Sequence, residues 1–271
     1  VREMAFLELV KAEGKVIMIE TFRRKSMLFA MFFWPYFLTF FMVFLGSIFG
    51  SAQAFQARTG GDPISYFMAS SVILMISLTI MDDIGSRMLW ESWLGTLPYI
   101  MASPVRRVEF LLALPLPRAI LAILWALIGL GPVVLLLKGL ESGLGLLLAV
   151  FFAILGAVGL AGFALVVGGL MLYFREEWSI AQIIRPLMLL VSGVYYPVYL
   201  MPMWLRFIAS FIPLTHAVEA TRLSVMFEQP PFNVLFTLMG LILVLTALYT
   251  PMGVKVYGFF ERKALKEGIK T

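Results

Sequence analysis

The run from Met27 to Gly50, MLFAMFFWPYFLTFFMVFLGSIFG, carries no charged residue in twenty-four positions, and Arg23, Arg24 and Lys25 stand immediately before it. A bilayer core of about 30 Å is crossed by roughly 20 apolar residues in a helix, because every backbone N–H and C=O must be satisfied within the segment. Cations collect on the cytoplasmic side of such a helix, so the run reads as a membrane span whose N-terminus lies inside.

Working outward from it, the same pattern recurs. Gln53 to Pro63 is polar and turn-rich, and Ile64 to Met81 runs back without charge to the Asp82, Asp83 pair. Ala119 to Leu137 is a third span and the charge-free run Ser142 to Phe174 contains a fourth. If wholly helical, that run would be roughly 50 Å long at 1.5 Å per residue, so it must tilt, protrude or begin irregularly. A fifth span is expected in Pro186 to Leu205, interrupted by Pro197 and Pro202, and a last one within Gln229 to Val254. In the fourth, Gly156, Gly159 and Gly162 recur every three residues and Ala153, Ala157 and Ala161 every four, a pattern that lets helices approach closely.

Charge tests this topology. The expected inner segments hold 17 Lys and Arg and the outer segments 4, the asymmetry that sets orientation, with both termini on the cytoplasmic side of the cell membrane. Overall, 61% of the 271 residues are hydrophobic and 14% charged, against roughly 45–50% and 25% in soluble domains. The expected fold is therefore an all-α integral membrane protein, one transmembrane domain over residues 1–271. It has six transmembrane helices, an N-terminal interfacial helix (1–26), a cytoplasmic loop (85–118) and short external or re-entrant helices (201–231) before the last span. In the first 26 residues Phe6, Val10 and Ile17 share one helical side, with Glu8, Lys11 and Lys15 roughly opposite, as on a helix lying on a membrane surface. No short apolar core ending in a small-residue cleavage site occurs there, so a removable signal peptide is not expected.

Several chemistries are excluded. With no cysteine and one histidine, His216, the chain has no thiolate site and no histidine-rich metal site. It shows no GxxxxGK followed by Ser or Thr, so it has no phosphate cradle of its own and is not expected to be an enzyme. The net charge of +5 fits basic cytoplasmic loops beside anionic lipid, and nucleic acid is not an expected partner. Asp82 and Asp83 are open to two readings, a coupling-ion site or an end-of-helix charge cluster with Arg87. Glu219 and Arg222 have the spacing of a helical pair, and His216, without a base, nucleophile or second ligand beside it, reads as structural.

The loop after the second span holds Trp90, Glu91, Ser92, Trp93, Leu94, Gly95, Thr96, Leu97, Pro98, Tyr99 and, further on, Ser103, Pro104, Val105, Arg106, Arg107. This resembles the acidic residue, GTL and SPV-R signature of type 2 ABC transporter permeases in the drug-efflux-like branch. A second block agrees: Ser192, Gly193, Tyr195, Tyr196, Pro197, then Pro202, Trp204, Leu205, then Pro213, Leu214, Thr215. These are similar to the family's SG-x-x-x-P, P-x-WL and PLT elements, in the same order. One departure is Pro98, where the family often has an acidic residue directly after GTL.

The resemblance implies a permease subunit of an exporter that pairs with a second membrane subunit, a homodimer, and with a cytoplasmic ABC ATPase that holds ATP and magnesium; this chain itself would carry no cofactor. Substrate, hydrophobic or amphipathic, would move outward between the membrane subunits. It further implies that Trp90, Glu91, Gly95, Thr96, Leu97 and Pro104 couple to the ATPase and that Tyr195, Tyr196, Pro197, Pro213 and Thr215 lie near the outer end of the substrate path. The exposed aromatics of such a loop serve equally as headgroup anchors. Alternatives are a lipid-linked glycan exporter, since Tyr173, Phe174, Arg175 also resembles that branch, an ion-coupled transporter, or a membrane-embedded enzyme.

Overall fold

A computed structural model describes residues 2–49, 52–85, 87, 91, 93–102, 107–174, 177–227 and 229–266. Among these residues there is no strand; the chain is helix joined by turns.

Helix α1 (Arg2–Arg23) meets α2 (Lys25–Phe49) at a bend of 92° around Arg24. On α1, Ile17 is buried while Glu8, Lys11 and Lys15 are exposed, as its periodicity predicts, but Leu7, Val16, Ile19 and Phe22 are exposed as well. One side of α2 is an exposed aromatic face of Phe29, Phe33, Phe37, Phe40 and Phe44, and its other side packs inward. There Tyr36 donates to the Gly129 carbonyl at 2.8 Å and Thr39 to the Met68 sulfur at 3.3 Å.

The outer segment expected to be turn-rich contains a short helix, α3 (Ala52–Thr59), ended by Gly60 at φ 75°. Helix α4 (Pro63–Gly85) then starts on an Asp-Pro signal: the Asp62 carboxylate accepts from the Ser65 N–H at 2.7 Å, and Pro63 occupies a first-turn position that needs no N–H. It is the central helix, with Met68, Ile73, Ile76, Ile80 and Ile84 nearly all inaccessible.

Two short helices, α5 (Leu97–Ala102) and α6 (Arg107–Ala113), lead into α7 (Pro115–Lys138). The long apolar run that follows is wholly helical, α8 (Gly143–Phe174), which settles its geometry: about 48 Å of helix exceeds the bilayer core and must tilt or protrude. Its glycines form the seams expected of them. A Cβ on Gly162 would come within 2.8 Å of the Thr250 backbone nitrogen, and one on Gly159 within 3.0 Å of Pro213, so these glycines allow backbones to touch.

Helix α9 (Glu177–Val191) covers only part of the expected fifth span. Its 15 residues reach about 22 Å, short of a full crossing, because Gly193 at φ 76° turns the chain after Ser192. After a 3-10 turn at Val198–Leu200 come α10 (Met203–Ala209), α11 (Pro213–Met226) and α12 (Phe232–Lys266). The basic tail expected after Val254 is the continuation of α12, which carries Lys255, Arg262 and Lys263 on unbroken helix past Pro251. Among the described residues, four helical stretches are long and apolar enough to cross a membrane, 63–84, 108–138, 143–171 and 232–263, and there is a fifth if the bent pair of α1 and α2 forms one span. The protein is thus an all-helical, multi-pass membrane protein.

Candidate functional site

Two regions bring the candidate residues together, one at each end of α4. At the Gly85 end, Glu91 is buried and its carboxylate is turned back into its own loop. Arg87 Nε lies 2.6 Å from Glu91 Oε1, the Thr96 hydroxyl donates to Glu91 Oε2, and the Thr96 N–H donates to the Glu91 carbonyl at 2.9 Å. Gly95 supplies the turn with φ 72°, a conformation that L side chains rarely adopt, and nothing lies within 4 Å of where its Cβ would be. Thr96 stands just before α5, its carbonyl accepting from the N–H groups of Tyr99 and Ile100. The groups that this loop presents outward are Trp93, Leu94 and Tyr99, the last 78% exposed. Glu91, one of the residues expected to couple to the ATPase, braces the loop from within. Leu97 opens α5; Trp90 and Pro104 lie outside the described residues.

Beside this loop the acidic pair of α4 divides its partners. Asp82 pairs with Arg185 of α9 at 2.6 Å, and Asp83 with Arg118 of α7 at 2.7 Å, while Arg118 also reaches Glu13 of α1 at 3.8 Å. The pair is a charge cluster whose ion pairs tie it to neighbouring helices, while Arg87, near enough to Asp83 to favour its charged form, makes its own ion pair with Glu91. Four elements therefore meet at one end of the bundle through carboxylate–guanidinium contacts, a junction no local spacing reveals. Among the described residues, no group of three or more metal-type ligands occurs.

At the other end of α4, α11 is almost entirely enclosed. Pro213, Thr215, His216, Thr221 and Arg222 are all buried, and α11 lies against α4, α8 and α12. Its approach to α8 is so close that Gly156 faces Ala217 directly and Gly145 faces the Ser224 carbonyl. His216 is structural here, its Nε2 2.9 Å from the Ser210 carbonyl.

Arg222 does not pair with Glu219 as their spacing predicts. Its Nε donates to Ser70 Oγ at 2.8 Å, its Nη2 to the Val194 carbonyl at 2.6 Å, and its guanidinium carbon sits 3.9 Å from the Tyr66 ring centroid. Burial lowers its pKa from the ordinary value, with Tyr66 and Glu219 acting the other way. A signal for this was present: Val218, Arg222 and Val225 fall on one helical face, so Arg222 replaces an apolar residue in the inward stripe. Lys138 places its ammonium on the carbonyls of Val225, at 2.6 Å, and Met226, where the helix dipole favours a cation. Tyr195 and Tyr196 are half-buried and Pro197 is buried in the turn after α9, and the tie between that turn and α11 is the Arg222–Val194 bond. A groove of about 490 Å³ between α7 and α8 is apolar throughout apart from Thr250, and Tyr195, Tyr196, Pro197, Pro213 and Thr215 do not line it.

The chain belongs to the ABC-2 type transporter family, whose model matches residues 10–227. This helical membrane bundle, with a braced loop at one end of α4 and an enclosed helix at the other, is therefore a membrane transport component rather than a nucleotide-binding domain. A comparison with curated proteins gave no match.

Proposed function

We propose that this chain is the membrane-spanning permease subunit of an ATP-driven exporter that moves a hydrophobic or amphipathic substrate out of the cytoplasm, in the manner of multidrug efflux. It crosses the cell membrane six times, by α2, α4, α6 with α7, α8, α9 with the turn after it, and α12, and both termini are cytoplasmic. The observation that carries the reading is family membership over residues 10–227 together with the self-braced loop at Glu91–Thr96. A partner ATPase that binds ATP and magnesium has to push on something rigid, and a loop whose acid, arginine and threonine hold one another transmits displacement better than a flexible one. Two copies of the chain form the transport path, with α5 and the exposed Trp93, Leu94 and Tyr99 seated in the ATPase.

In this mechanism ATP binding closes the ATPase pair, the loop moves with it, and the spans exchange between two packings. The loop root is α4, so displacement passes through Asp82 to α9 and through Asp83 to α7. Both acids already hold arginines, which weighs against a coupling-ion site there.

Co-purification from cells expressing both chains tests the assembly: a stoichiometric ATPase subunit is expected, and proton-driven transport by this chain alone would sink the reading. Gly95→Val, which forces a β-branched residue into a left-handed turn, is expected to lower efflux of a hydrophobic fluorescent dye about tenfold while membrane insertion stays intact. Unchanged dye efflux in that variant would remove the loop from the mechanism.

A further inference from the structure

The most unusual group in the molecule is Arg222, 1% exposed, with no carboxylate within salt-bridge distance among the described residues. A guanidinium taken out of water is costly unless its donors are used. Here they are used in three directions on two separate elements: Nε toward Ser70 and the cationic face against Tyr66, both on α4, and Nη2 toward the Val194 carbonyl in the turn after α9. Nη1 has no hydrogen-bond partner among the described residues, and neither has the Tyr66 hydroxyl.

We propose that Arg222 is a latch that holds the enclosed helix α11 shut against α4 and the turn after α9, and that this contact breaks when α4 and α9 part. Four features of the geometry support a releasable contact over simple packing. The acceptors are neutral and sit on elements other than α11, so separation of α4 from α9 necessarily costs at least one bond. The turn at Val194 is itself set by Gly193 in a left-handed conformation and ends the short helix α9. Asp82 ties the opposite end of α4 to the same α9 through Arg185. Finally, the donor left over on Arg222 and the unpartnered Tyr66 hydroxyl mean that the closed arrangement does not use all its polar groups, so hydration on opening recovers part of what is lost.

Arg222 is thus a positioning residue: α4 and α9 are connected at one end by an exchangeable ion pair and at the other by a buried fork. The latch's place in a transport cycle rests on the exporter reading; the closure of α11 does not.

The chain has no cysteine, so one introduced thiol reports on one place. Ser224→Cys sits on α11 and Ser77→Cys in the middle of α4, both fully buried and both conservative in size. The purified chain in lipid nanodiscs, where both faces are open to reagent, is treated with a polar maleimide. With Arg222 present, both thiols are expected to label slowly. With Arg222→Met, which keeps the apolar bulk, Ser224→Cys is expected to label about tenfold faster or more while Ser77→Cys is unchanged. Arg222→Lys, which keeps the charge without the fork, is expected to recover part of the protection. Equal labelling of Ser224→Cys with and without Arg222 would overturn the latch. A parallel rise at Ser77→Cys would overturn it too, because Arg222 would then be holding the whole bundle. No ATPase or substrate enters this measurement, so its failure is distinct from failure to co-purify the ATPase.

Discussion

The two ends of α4 handle charge in opposite ways. At the Gly85 end, Asp82, Asp83, Glu13 and Glu91 each face an arginine, and Asp82 and Arg118 remain substantially exposed. At the Pro63 end, the buried Arg222 donates to uncharged groups, a serine hydroxyl and a backbone carbonyl, and Lys138 places its ammonium on backbone carbonyls, with Asp62 at 4.0 Å. An ion pair bathed in water exchanges partners cheaply, because each charge is solvated when the pair opens. A buried cation on carbonyls does not, because each broken bond leaves a polar group in apolar surroundings. The first end suits an element that is pushed; the second suits an element that stays closed until the push arrives.

That contrast can be broken by mutation, with effects ordered by burial. Arg222→Ala is expected to cost the most, on the order of 3 kcal/mol of thermal stability in detergent, since Ser70 and the Val194 carbonyl lose their partner and a void opens between α4 and α11. Lys138→Met follows at about 2 kcal/mol, because the carbonyls ending α11 lose a charged donor. Asp83→Asn comes next at about 1 kcal/mol: its carboxylate is buried, yet Arg118 is 36% exposed and keeps Glu13. Asp82→Asn is expected to cost less than about 1 kcal/mol and to vanish at high salt, since Asp82 is 49% exposed. A stability loss for Asp82→Asn as large as that for Arg222→Ala would erase the distinction between the two ends.

Much of the fold was legible because lipid imposes a rule with few solutions. Charge-free runs of about 20 residues announced α2, α4, α7, α8 and α12, and Asp62-Pro63 marked where α4 begins. The fifth span was read too long, since composition does not register that Gly193 turns the chain out of the helix. Glu91, Gly95 and Thr96 stood out by resemblance, but the inward direction of Glu91 depends on Arg87 and Thr96 closing on it, which a motif does not state. The Glu219–Arg222 spacing misled for a similar reason: a pair at i, i+3 is worth only a few tenths of a kcal/mol, far less than the bonds available to Arg222 across the bundle.

By itself, then, the sequence determined that the chain is helical and embedded in a membrane. Those properties follow from composition and periodicity, which are local. Only the tertiary structure decided that Asp82 and Asp83 hold different helices, that α11 is enclosed, and that Arg222 reaches Ser70 and Val194. Each joins residues between 28 and 152 positions apart, and a long flexible cation chooses its acceptor by which groups the packed helices leave within reach.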